Sequence, residues 1–203
     1  MGLTSEEVHW LYGALLSVFA LMMLLHVRGF IVGRWPEYRV GGALLLFGLG
    51  LVFDSLLHGN RAPADYGAET AQHLLIGAIL IVGAVLEIHR AAKGRDARVW
   101  RLPAVLALVA AGTSFVLHAQ HEAAAPMLLL VTQHRFIAAT LIVLALAVLL
   151  APVGPARRQG LSAPLLTLLL GLDLLAYSEG RSLLGVPDEM DHVGSAQDRM
   201  PIH

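Results

Sequence analysis

The chain has 203 residues, 57% of them hydrophobic and 14% charged, with a formal net charge of −1 and a mean hydropathy of +0.68. A soluble domain carries about a quarter charged residues, and a chain of this length cannot build a core large enough to hide so much apolar surface. The composition excludes an ordinary soluble enzyme, a disordered chain and, for want of a basic excess, a nucleic-acid binder; it leaves a polytopic membrane protein whose first partner is the lipid bilayer.

Six windows approach the roughly 20 mostly apolar residues that a spanning helix needs. The first covers 8–27 and holds no Asp, Glu, Lys or Arg. Its flank carries Glu6 and Glu7 where a signal peptide has a basic region, so it is expected to persist as a span. The second, 40–57, contains Asp54, and the third, 70–88, closes on Glu87. The fourth covers 102–120, the fifth 127–151 with Arg135 inside it, and the sixth 161–178 with Asp173 inside it. Residues 185–203 are polar and are expected to form a disordered extracytoplasmic tail. The predicted fold is an all-α polytopic membrane protein, a single six-helix domain over 1–184.

Loop charge predicts the orientation. Arg28, Arg34 and Arg39 follow the first window, Arg90, Lys93, Arg95, Arg98 and Arg101 the third, and Arg157 and Arg158 the fifth. Ten of the fourteen Lys and Arg thus fall on one side, which the positive-inside rule makes cytoplasmic. Both termini are then extracytoplasmic, and periplasmic if the membrane is a bacterial inner membrane.

Two stretches about sixty residues apart resemble each other. Ser55-Leu-Leu-His58 precedes Ala71-Gln72-His73, and Ser114-Phe-Val-Leu-His118 precedes Thr132-Gln133-His134, with histidine separations of 15 and 16 residues. Each reads as helix, external turn, helix. The pattern predicts two parallel hairpin repeats, about 40–90 and 102–151, pairing into a core four-helix bundle.

The ten histidines are the unusual feature of the composition, because intramembrane imidazole tends to be functional. At about 1.5 Å of rise per residue, His58, His73, His118 and His121 fall near the external surface, and Asp54, His134 and Asp173 one or two turns deeper. Asp54 and His58 share a helix face, as do His118 and His121, and as do Asp173 and Tyr177. Neutral imidazole binds copper, zinc, iron and nickel. His58, His73, His118, His121 and His134, with Asp54, are therefore the candidate metal ligands. Gln72 and Gln133 are candidate partners that fix the imidazole tautomers. Arg135 is a buried cation in need of a counter-ion, expected to be Asp54 or Asp173. Met22, Met23, His26 and His89 form a candidate inner site, since thioether and imidazole suit Cu(I). The absence of cysteine removes disulfides, thiolate sites, iron–sulfur clusters and covalently attached haem.

His118-Ala-Gln-His121-Glu122 followed by Gln133-His134, together with the Gln72-His73 helix and its Glu87-Ile-His89-Arg90 ending, resembles the histidine-rich membrane proteins of bacterial copper-resistance operons, the CopD/PcoD type. The resemblance covers roughly residues 50–150. Longer members of that family have more than six spans. It implies copper handling at the outer face of the inner membrane, as transport, sequestration or delivery, with a periplasmic copper-binding protein or a larger membrane complex as partner.

Three other readings compete with a copper-binding membrane protein. A b-type cytochrome would hold haem between histidines on facing helices, with Gly77, Gly83, Ala138 and Ala139 leaving room for the ring. A zinc-dependent intramembrane hydrolase would use Asp54 or Glu122 as base; Ser55-x-x-His58 is faintly similar to the CREST hydrolases, which have seven spans. A structural subunit would have no site at all. The chain has no phosphate loop, nucleophile elbow or dinucleotide fingerprint, and the favoured reading is not an enzyme.

Overall fold

The computed structural model describes residues 5–32, 38–57, 63–95, 97–117, 126–151 and 160–177. Among them the elements are all helical: α1 (Ser5–Val27), α2 (Arg39–Leu57), α3 (Pro63–Ala92), α4 (Leu102–Val116), α5 (Pro126–Leu150) and α6 (Ser162–Leu175). A 3-10 turn, Arg98–Arg101, leads into α4. Five of the helices are long and apolar enough to cross a membrane, which marks the chain as an integral membrane protein. The sixth, α6, has 14 residues and is shorter than the window that predicts it. Helix α4 also stops early, at Val116 rather than at 120. The tail over 185–203 lies outside the described residues.

Each helix packs on its neighbours in the chain, and α6 returns to α1. The most extensive pairings are α2 with α3, α1 with α6, and α4 with α5. The expected four-helix core is therefore not a separate unit. Helices α1 and α6 complete a ring of six, and Leu16, Leu170 and Leu174 join Phe47, Leu80, Leu108 and Leu141 in one continuous core. The outer surface carries Val18, Val82, Leu106 and Leu146, the apolar exterior that a bilayer requires.

Glycine sets two of these pairings. A methyl on Gly48 would stand 2.9 Å from the carbonyl oxygen of Gly77, and one on Gly77 would stand 2.9 Å from that of Gly48. Between α1 and α6, a Cβ on Gly13 would meet the Gly171 carbonyl oxygen at 2.7 Å, and one on Gly171 the Ser17 backbone nitrogen at 2.8 Å. Small residues allow such backbone approach, and packing is the main attraction between helices in lipid. Gly171→Val forces α1 and α6 apart. We expect it to cost about 1–3 kcal/mol, read as a lower thermal midpoint of the detergent-purified protein; an unchanged midpoint would remove this contact from the fold.

Orphan carbonyls at helix C-termini need partners inside the bilayer. Side chains of adjacent helices supply them. Gln72 Nε2 donates to the Ser114 carbonyl in the last turn of α4 at 3.1 Å. Gln133 Nε2 donates to the Ala176 carbonyl just past α6 at 3.2 Å. The two glutamines of the sequence repeat thus reach forward 42 and 43 residues to equivalent places. Trp10 Nε1 donates to the Tyr177 carbonyl at 2.9 Å. At the other end of the bundle, Arg101 Nη1 donates to the Val148 and Ala151 carbonyls that close α5, at 3.2 and 2.6 Å.

That second end is also where Glu87 and Arg90, one turn apart on α3, form a buried two-point ion pair. Arg90 Nε and Nη2 donate to the two carboxylate oxygens at 2.9 and 2.8 Å. Arg90 Nη1 donates to the Arg95 carbonyl at 2.9 Å, tying the turn after α3 to the helix.

Candidate functional site

The opposite end of the ring gathers the start of α1, the end of α2 and the body of α3 around one carboxylate. Asp54 sits in the last turn of α2 and is 4% exposed. Its Oδ2 lies 3.5 Å from His73 Nδ1, and its Oδ1 lies 3.9 Å from His9 Nδ1. These separations exceed a hydrogen bond's usual 2.7–3.2 Å or so. His9 is held flat on the Tyr177 ring, with centroids 3.8 Å apart and planes 8° apart. The Trp10 bond to the Tyr177 backbone fixes the same junction. His134, buried on α5, tilts against Phe115 at 5.7 Å.

A cavity opens among these groups, lined by His9, Tyr12, Asp54, His73, Phe115 and His134. Its walls are mostly apolar, with Phe47, Leu51, Ile137 and Leu174 completing them. An imidazole whose Nδ1 faces a carboxylate presents Nε2 as its coordinating atom, the arrangement by which carboxylates orient metal-binding histidines.

Of the predicted ligands, Asp54, His73 and His134 line this one cavity. His58, His118 and His121 lie outside the described residues, as α2 is described only to Leu57 and α4 with its turn to Leu117. Among the described residues, no three His, Asp or Glu side chains stand close enough to hold one ion.

Several expectations are corrected. The Nε2 groups of Gln72 and Gln133 donate to carbonyls at helix ends. Arg135 is not a buried cation paired with Asp54. It is exposed on the outer face of α5, while Asp54 faces imidazoles across the ring. Asp173 is half-buried and does not line the cavity; its Oδ2 makes no hydrogen bond among the described residues. Tyr177 lies just past α6, buried, and serves as the platform for His9. The candidate inner site does not face a common point. Met23 and His26 are buried, but Met22 and His89 are exposed, because adjacent positions on a helix point about 100° apart.

The residue that sequence reasoning missed is His9. It lies inside the first window, which holds no Asp, Glu, Lys or Arg, and an ionisable group within a span is itself a signal. Its depth, one to two turns from the start of α1, matches that of Asp54 from the end of α2. Comparison with known proteins yields no matching family model, no matching curated protein and no matching solved structure.

Proposed function

We propose that this protein binds copper in the outer half of the membrane, as cargo to be transported, sequestered or delivered. The observation that carries the reading is Asp54 set between the Nδ1 atoms of His73 and His9 beside a cavity that His134 also lines. Asp54 orients the two rings and offsets the charge of a bound cation. His73 and His134 are the proposed ligands from the described residues. His58, His118 and His121, which lie outside the described residues, are the further proposed ligands, consistent with the resemblance to copper-resistance membrane proteins. The basic loops follow the ends of α1, α3 and α5, so the same reading puts this cavity on the periplasmic side of a bacterial inner membrane, with both termini there. A periplasmic copper-binding protein or a larger membrane complex is the proposed partner.

The test is an anaerobic titration of the detergent-purified chain with Cu(I), Cu(II) and Zn(II), after an absorption spectrum. The expected result is saturable copper binding that disappears in the His73→Ala/His134→Ala double variant, with no Soret band. A haem spectrum as purified, or equal copper uptake by the double variant, would overturn the reading.

A further inference from the structure

Two opposite charges on α5 and α6 play no part in the copper reading. Arg135 lies within the apolar span Val131–Leu150 and is exposed, on a strip of α5 that also carries Thr132, Phe136, Ala139, Val143 and Leu146. Asp173 lies in the last turn of α6 and is half-buried. Among the described residues no ion pair joins the two within the chain. A guanidinium keeps its charge in any surroundings, and ionisable side chains inside a span pair with one another or face a watery interior. An exposed arginine on an apolar strip does neither within one copy.

The depths of the two residues agree. Gln133 Nε2 reaches the Ala176 carbonyl, which sets these two residues level on neighbouring antiparallel helices. Arg135 lies two residues further into α5 and Asp173 three residues back into α6, about 3 and 4.5 Å below that level. Their flanks differ. Arg135 shares a stripe of α5 with Ala138 and Ile142, which meet Gly112 of α4. Asp173 belongs to α6, on the other side of α5. A cation on one flank and an anion on the other, at one depth, make this face complementary to itself. A two-fold axis along the membrane normal preserves depth and exchanges flanks, so it sets each Arg135 opposite the partner's Asp173.

Helix α6 adds an independent reason. Its 14 residues rise about 21 Å, short of the roughly 30 Å hydrocarbon core, and oligomerisation is one way a membrane accommodates a short helix.

We propose that a second copy of this chain docks on the outer face of α5 and α6, and that reciprocal pairs between Arg135 and the partner's Asp173 hold the dimer. Ala139, one turn below Arg135 on the exposed strip, lets the two α5 helices approach closely. A lipid phosphate would match Arg135 alone, whereas a second copy matches both charges.

The chain has no cysteine, so Ala139→Cys puts a single thiol on this strip. Cross-linking with a short bis-maleimide, in vesicles of phosphatidylethanolamine and phosphatidylglycerol, tests the proposal. Val82→Cys, on the exposed surface of α3, is the control. The expected result is a dimer band from Ala139→Cys and none from Val82→Cys. With Ala139→Cys present, Arg135→Glu and Asp173→Lys should each lower the dimer about tenfold, because like charges then face each other. Mixing these two chains under different tags should restore cross-linking between the tags, since the introduced acid meets the introduced base and Arg135 meets the partner's Asp173. A pair closed within one chain, or Arg135 held by a lipid phosphate, gives no such rescue. Thermal melts show whether the variants fold. If Asp173→Lys does not, Arg135→Ala and Asp173→Asn should each lower the dimer, while Lys93→Ala, at an exposed position outside the spans, leaves it unaltered. Absence of a dimer from Ala139→Cys, an equal band from Val82→Cys, no rescue on mixing folded variants, or an equal loss in Lys93→Ala would overturn the proposal.

Discussion

Exchanging Asp54 for asparagine is expected to weaken copper binding by about 10–100-fold, the usual consequence of removing a carboxylate that orients a metal-binding histidine. The substitution keeps the size and shape of a side chain that is 4% exposed, so the packing of α2 on α3 should survive. What changes is the charge opposite His73 Nδ1 at 3.5 Å and His9 Nδ1 at 3.9 Å. On the copper reading, the His73 ring then lacks the carboxylate that turns its Nε2 toward the ion and offsets the incoming positive charge. Competition against a copper chelator measures the affinity, and a thermal melt of the apo protein separates a site defect from a folding defect. An unchanged affinity in a folded Asp54→Asn protein would take Asp54 out of the site.

The second large effect belongs to stability. Glu87→Ala should destabilise the bundle by about 3–5 kcal/mol, because it leaves the Arg90 guanidinium buried without its carboxylate. The double variant Glu87→Leu/Arg90→Met removes both charges together and should recover most of the loss, since well-packed apolar residues often match or exceed a buried ion pair. Thermal midpoints in one detergent give the comparison. If Glu87→Ala melts with the wild type, the pair contributes nothing to the fold.

The helices were legible because each is a long apolar run between charged loops, and α1, α2 and α5 begin and end within a few residues of their windows. Hydropathy does not register where hydrogen bonding stops. Helix α4 ends at Val116, and this exposes the Ser114 carbonyl that Gln72 reaches. The repeat was visible as a matched Gln-His pair; the purpose of the glutamines depended on helix ends that composition does not mark.

Asp54, His73 and His134 stood out as polar residues inside apolar windows, and they do line one cavity. His9 was harder, because its neighbours depend on α1 lying beside α6 and α2, and ring closure is a tertiary fact. Loop lengths suggest that consecutive helices pack together, but they say nothing of the first helix meeting the last. Arg135 shows the converse. Its window is apolar on every side, so sequence gave no indication of which face turns inward, and the exposed face carries the cation.

The most direct measurement of the copper reading is electron paramagnetic resonance on the Cu(II)-loaded protein, prepared with natural and with ¹⁵N-labelled histidine. Nitrogen couplings that change with the label, and that lose a contribution in His73→Ala and another in His134→Ala, are the expected result. A spectrum without imidazole nitrogen, or one that neither substitution alters, would contradict it.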